Sequence, residues 1–183
     1  MTSIRTRALE SAVTLVGTDG VRALTHGRVD AAAGLPAGST SNHFRTRAAL
    51  VAGVIDWIAE SERADSGPTT TVTDEQALVD LLVALIEIES GPRATRTRAR
   101  YALFLETAED DAAAPLRHQR LLFEEWVRAL LTGIGGTEAA RNAPMLMAAC
   151  DGLLLHRITV DPGAPVRDSV ALAVAAALRG PNG

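Results

Sequence analysis

Apolar residues recur along this chain at spacings of three and four, and strand-like alternation is scarce, which predicts a succession of helices. The first, starting at Ile4, would bury Ala8, Leu9, Ala12, Val13 and Val16. A fourth helix, capped by Thr46, carries Leu50, Val51, Val54, Ile55 and Ile58 on one side. It should stop near Ser66, Gly67 and Pro68, with a threonine-rich solvated connector up to Thr73. Asp74 starts a fifth helix with Leu78, Leu81, Leu82, Leu85 and Ile86 on one side, and Ser90, Gly91 and Pro92 end it. A sixth, over about residues 92–108, is rich in arginine at first and then apolar through Tyr101, Leu103, Phe104 and Leu105. Glu109, Asp110 and Asp111 mark a loop. The seventh helix, over about residues 113–131, presents Leu116, Phe123, Trp126, Val127 and Leu130, and Gly133, Gly135 and Gly136 are expected to terminate it. Two more helices span 137–158 and 164–179, separated by Asp161, Pro162 and Gly163. The fold class is therefore all-α, with about nine helices, no internal repeat and no low-complexity segment beyond alanine richness.

Residues 24–50, LTHGRVDAAAGLPAGSTSNHFRTRAAL, break this regularity in an informative way. Thr25 can cap a second helix with Val29, Ala32 and Ala33 as a small apolar stripe. Gly34 supplies a left-handed residue to end it, and Leu35 packs beneath the turn. Pro36 suits the first turn of a third helix, over residues 37–43, because its missing amide would have no partner there. That helix is short and polar: Ser39, Thr40, Ser41, Asn42 and His43 have hydrogen-bonding groups and little bulk. A short polar helix braced by a helix-turn-helix frame is the geometry that enters a DNA major groove. Phe44 reads as core.

These residues, with the first helix, the Gly20-Val21-Arg22-Ala23-Leu24-Thr25 turn and the Phe44-Arg45-Thr46-Arg47-Ala48-Ala49-Leu50 entry to the fourth helix, resemble the TetR family of one-component bacterial repressors. The resemblance covers roughly the first third of the chain, and the ordered combination is more specific than any short pattern. Two positions depart from it: the family often has a tyrosine where Ser41 or Asn42 stands, and usually a lysine where Arg47 stands.

The resemblance implies a helix-turn-helix DNA-binding domain over residues 1–48 and a helical ligand-binding and dimerisation domain over 49–183. Two heads related by a two-fold axis would read a pseudo-palindromic operator in adjacent major grooves. In each head Ala37 and Gly38 leave room for close approach, and Ser39 and Thr40 are the candidates for base contacts. Asn42 and His43 lie nearer the backbone, and His43 could equally serve only a local hydrogen bond. Thr25, Arg28 and Arg47 would hold phosphates, with Arg5 as a mobile contact ahead of the first helix. A small, largely apolar effector would bind among helices four to seven, with Tyr101, Phe104, His118, Trp126 and His156 as candidate contacts, and shift the DNA-binding heads. The final two helices would pair with their symmetry mates through Met145, Ala149, Gly152, Leu153, Val166, Val170, Ala173, Val174 and Ala177. The same faces could instead be internal core.

Composition alters this picture in three respects. Nearly half of the 183 residues are hydrophobic, ample for a core, and all 18 basic residues are arginine, which excludes any lysine-dependent mechanism. The net charge of −4 is unevenly spread: the first 50 residues carry +3 and the remaining 133 carry −7, as suits a protein that puts one end on DNA. The single cysteine, Cys150, allows no intramolecular disulfide and reads as a small core residue.

No apolar leader and no run of ~20 apolar residues is present, so a cytoplasmic protein is expected. Catalysis is not expected. A di-iron bundle needs Glu three residues before His, but Ala23, Thr40, Pro115 and Leu153 stand before His26, His43, His118 and His156. No metal site, nucleophile elbow or cofactor motif is found, and no cofactor is expected. The alternative to a DNA-binding regulator is a helical small-molecule-binding or interaction module that has lost specific DNA binding.

Overall fold

The structure is a computed structural model that describes residues 2–65, 72–107 and 111–179. The expected stop at Ser66, Gly67 and Pro68, the connector up to residue 71, and the acidic pair Glu109 and Asp110 lie outside the described residues. Among the described residues there are nine α-helices and no strand: α1 Ile4–Asp19, α2 His26–Ala32, α3 Ser39–His43, α4 Arg47–Asp65, α5 Glu75–Ser90, α6 Ala94–Glu106, α7 Ala114–Ala140, α8 Ala143–Thr159 and α9 Arg167–Arg179.

The chain forms two compact units, Met1–Gly67 with Ala94–Gln119 and Pro68–Arg93 with Arg120–Gly183. Packing therefore does not follow the division expected at residue 48: α4 and α6 belong with the three N-terminal helices. The reason is burial. Leu50, Val54, Ile55 and Ile58 of α4 and Ala99 and Leu103 of α6 lose all solvent exposure beside Leu9, Val16, Leu24 and Val29. Each such aliphatic side chain contributes about 1.5–3 kcal/mol relative to remaining exposed. Ser3 starts α1 by accepting the Thr6 amide at 3.0 Å, and Thr46 starts α4 by accepting the Ala49 amide at 3.0 Å. Gly17 sets the contact between α1 and α6: a Cβ there would lie 2.1 Å from the Thr95 carbonyl oxygen, so only glycine fits.

The second unit is built from α5, α8, α9 and most of α7. Leu78 and Leu82 of α5, Val127 and Leu131 of α7, Leu146 and Met147 of α8 and Val170 and Val174 of α9 form its core. Asp74 caps α5 through the Ala77 amide at 2.9 Å.

Several expectations need correction. Helix α7 runs past Leu131, Gly133 and Gly135 and breaks at Gly136, the last of the three glycines expected to end it, whose φ is 77°; a short further helical segment leads to Ala140. A glycine inside a helix costs roughly 0.5–1 kcal/mol, which full burial of Leu131 and the packing of Ile134 on the core offset. Consequently α8 starts at Ala143 rather than at residue 137, with a proline in its first turn. Helix α3 starts at Ser39, later than residue 37, because Pro36 to Ser39 form a turn closed by the Ser39 amide on the Pro36 carbonyl at 3.1 Å. Ala32 is exposed, and Phe123 is also exposed, its ring 5.2 Å from that of Trp126.

Candidate nucleic-acid interface

The turn after α2 has the hydrogen bonds of a Schellman motif. Gly34 is left-handed at φ 59°, the Leu35 amide donates to the Asp30 carbonyl at 2.8 Å, and Leu35 is buried beneath it. Arg7 of α1 donates to the carbonyls of Ala33 at 2.7 Å and Gly34 at 3.4 Å, fixing the end of α2 to the first helix. At the other end Thr25 accepts the Arg28 amide at 3.4 Å, and His26 Nε2 donates to the Phe44 carbonyl at 2.6 Å. Helix α2 is thus tied at both termini.

The next helix takes its orientation from one carboxylate. Asp30 is 4% exposed. Its oxygens accept the Gly38 amide at 2.8 Å, the Thr40 amide at 2.8 Å and the Thr40 hydroxyl at 2.5 Å. Burial pushes the Asp30 carboxyl up, but the Thr40 hydroxyl and amide, the Gly38 amide and the charge of His26 outweigh it and hold the group below its usual 3.8. Gly38 sits at φ 88°, a left-handed conformation that a side chain would strain.

Thr40 is consequently not a base-contact candidate. It is fully buried, and its hydroxyl is spent on Asp30. The other expected residues are on the surface: Arg5, Thr25, Arg28, Ala37, Gly38, Asn42, His43 and Arg47 are exposed, and Ser39 is half-buried. Ser39 turns its hydroxyl to the Pro36 carbonyl at 2.6 Å, and Ser41 turns its own to the Gly38 carbonyl at 2.9 Å. Arg28 pairs with Asp19, and Arg47 donates to the Val21 carbonyl at 3.0 Å. Arg5 lies over the Phe44 ring, 5.6 Å from its centroid. Between α2 and α3 lies a shallow groove of about 330 Å³ lined by small residues, among them Gly27, Ala31, Ala37 and Gly38, with His26 and Ser41 at its polar edge.

Three residues that build or flank this surface are not among those the sequence predicts: the buried Asp30, and the exposed Arg7 and Arg45. Asp30 had a legible signal, an acid set between Val29 and three alanines. Arg45 is exposed and has no partner among the described residues, unlike Arg28 and Arg47.

The effector candidates divide between the units. Tyr101, Phe104 and His118 belong to the first, where Phe104 packs on the core and the Arg100 guanidinium lies 4.9 Å from the Tyr101 ring centroid. Trp126 and His156 belong to the second, where Trp126 packs on the core. His118 and His156 are exposed.

The dimer candidates also require correction. Val166, Val170, Val174 and Ala177 are buried within the core of their own unit and have no surface to offer a second copy. Met145 and Gly152 are exposed, while Ala149, Leu153 and Ala173 are half-buried. Cys150 is a partly buried thiol whose pKa burial raises to about 11, as expected of an unreactive packing residue. Among the described residues no group of three His, Cys, Asp or Glu could hold a metal, and no helix is long and apolar enough to cross a membrane.

Residues 73–180 match the family described as tetracyclin repressor-like, C-terminal domain. A TetR-family member from Streptomyces coelicolor A3 is similar over 97% of this chain and 99% of its own, at 24% identity and a TM-score of 0.74. A transcriptional regulator from Rhodococcus sp. Rha1 is similar over 98% of this chain and 97% of its own, at 21% identity and a TM-score of 0.75. The multidrug binding protein EbrR, complexed with ethidium, is similar over 96% of this chain and 99% of its own, at 25% identity and a TM-score of 0.68. No curated protein matches the sequence.

Proposed function

The chain belongs to the tetracyclin repressor-like family, and from that premise we propose that it is a homodimeric repressor whose α3 reads a pseudo-palindromic operator. As a member of this family it is a transcriptional regulator and not an enzyme. The observation that carries the DNA reading is the outward face of α3. Asn42 and His43 are exposed with no hydrogen-bonding partner for their side chains among the described residues, on a helix otherwise held from within by Asp30. An amide and an imidazole are suited to base edges or phosphates in a major groove. Arg45 beside them, with Thr25, Arg28 and Arg47, would supply phosphate contacts, Arg28 by exchanging Asp19 for the backbone. Ser39 would offer lone pairs to the duplex, and Arg5 would leave the Phe44 ring to reach the adjoining backbone.

Pairing would use the outer side of the last two helices. Met145, Ala148, Gly152 and Leu155 are exposed at spacings of three and four along α8, and Leu172 and Ala176 are exposed on α9. Leu172 is 74% exposed and Leu155 45%, surfaces that a second copy would remove from water. Residues 1–48 would form the reading head and 49–183 the sensing and pairing body, working in the cytoplasm. The likeness to EbrR, solved with ethidium, supports a small effector with aromatic faces. Tyr101 and Phe104, both in the first unit, are the aromatic groups that would meet it.

The test is selection of duplexes from a randomised library by the purified chain, followed by binding in the presence of competitor DNA. A selected palindrome bound by a dimer is the expected result. Enrichment of no sequence, or a chain that remains monomeric at micromolar concentration, overturns the reading.

A further inference from the structure

Helix α3 has five residues and its N-cap, Gly38, has no side chain to offer. A helix of that length does not persist alone, since its nucleation is not repaid by later hydrogen bonds. The acceptors for the Gly38 and Thr40 amides come from α2, a segment eight to ten residues earlier in the chain. Asp30 stands on that segment between anchored neighbours: Val29 is fully buried, and Arg7 holds the carbonyls just beyond. Both carboxylate oxygens are used, one by Gly38 and the other twice by Thr40. Apolar contact would hold α3 near α2 without fixing its rotation, whereas hydrogen bonds to an ionised acceptor are directional and strong. Thr40 faces inward, so Asn42, two residues on and about 200° round the helix, is turned away from it, while His43 is exposed at the end of the helix, about 60° from Thr40.

We propose that Asp30 is the positioning residue of the recognition helix, clamping the Gly38 and Thr40 amides and the Thr40 hydroxyl so that the angle of Asn42 and His43, and with it sequence discrimination, is set by a carboxylate that never touches DNA. This rests on the DNA reading proposed above and adds to it where discrimination originates. The charge gives the claim a distinctive sign. A buried anion beneath a DNA-facing surface works against phosphate attraction, so its removal should not weaken sequence-independent binding.

The experiment compares the full chain with Asp30→Asn and Thr40→Val, each equal in size to the residue it replaces. Affinity is measured for the library-selected duplex and for a scrambled duplex of the same length, with amide hydrogen exchange at Gly38 and Thr40 and helix content by circular dichroism. In Asp30→Asn the selected duplex should be bound about tenfold to a hundredfold more weakly, as one partner of three buried bonds is altered. The scrambled duplex should be bound equally well or slightly better, exchange at both amides should quicken, and helix content should hold. Thr40→Val loses a single bond and should show a smaller fall in the same pattern; it is the deciding variant if Asp30→Asn does not fold. Equal losses on the two duplexes would mean a merely structural role and overturn the proposal, as would unchanged exchange in Asp30→Asn. A parent chain that selects no duplex overturns the DNA reading itself, and the exchange data then report separately whether the clamp exists.

Discussion

The unit that holds α3 and the unit that holds α9 secure these two helices by different physical means. In the first, a five-residue polar helix is fixed by three hydrogen bonds to Asp30 and cannot bury enough apolar surface to hold itself. In the second, α9 lays Val170, Val174 and Ala177 into an aliphatic core and adds one directed tie, from the Asn142 side chain to the Ala177 carbonyl at 2.8 Å. Packing yields more free energy per residue, while hydrogen bonds fix angles. A helix that reads needs the second, and a helix that supports needs the first.

Substitutions can test this contrast, beginning with the most costly. Leu146→Ala, at a side chain 1% exposed in the second unit, should lower stability by about 2–5 kcal/mol in urea unfolding. A loss under ~1 kcal/mol would show that the unit is not held by packing. In the first unit Gly17→Ala places a methyl group against the Thr95 carbonyl and should cost about 1–3 kcal/mol in the same assay. Leu172→Glu alters an exposed side chain and should leave the unfolding of the isolated chain within about 0.5 kcal/mol. Its effect belongs in sedimentation, where the dimer should dissociate at concentrations at which the parent stays paired; an unchanged dimer would place the interface elsewhere.

Arg45→Ala should leave stability alone and reduce the log–log salt slope of DNA binding by about 0.9, one phosphate contact. Arg47→Ala should lower the slope similarly but also loosen the turn at Val21, whose carbonyl it holds. The smallest effect concerns acid. Because the folded Asp30 carboxyl lies below its ordinary 3.8, its contribution is fully present above that value and disappears as pH falls through the lower folded one. Asp30→Asn should therefore flatten stability against pH only in that acid range, and flattening near neutrality would contradict the assignment.

Much of the frame was legible because caps and turns leave local signals. Thr25, Gly34, Thr46 and Asp74 act where a hydroxyl, a bare Cα or a carboxylate is required by the adjoining backbone. Register was harder. A five-residue helix carries too little periodicity to say which of Ser39, Thr40 and Ser41 turns inward, and Thr40 was assigned to the wrong side. In α9 nearly every position is small or aliphatic, so the side seen from sequence as a pairing surface is the buried one, and Leu172 and Ala176 face out instead. Helix α7 passes Gly133 and Gly135, though not Gly136, because the gain from Leu131 lies in residues distant along the chain, which local propensity does not register.

The guanidinium of Arg157 donates to the Ser90 hydroxyl at 2.7 Å and to the Ala164 carbonyl at 2.5 Å. One planar fork thus fastens the final turn of α5 to the bend that joins α8 and α9. Fraying in either place must release the same side chain, so the two should open together as a single cooperative piece rather than unravel separately.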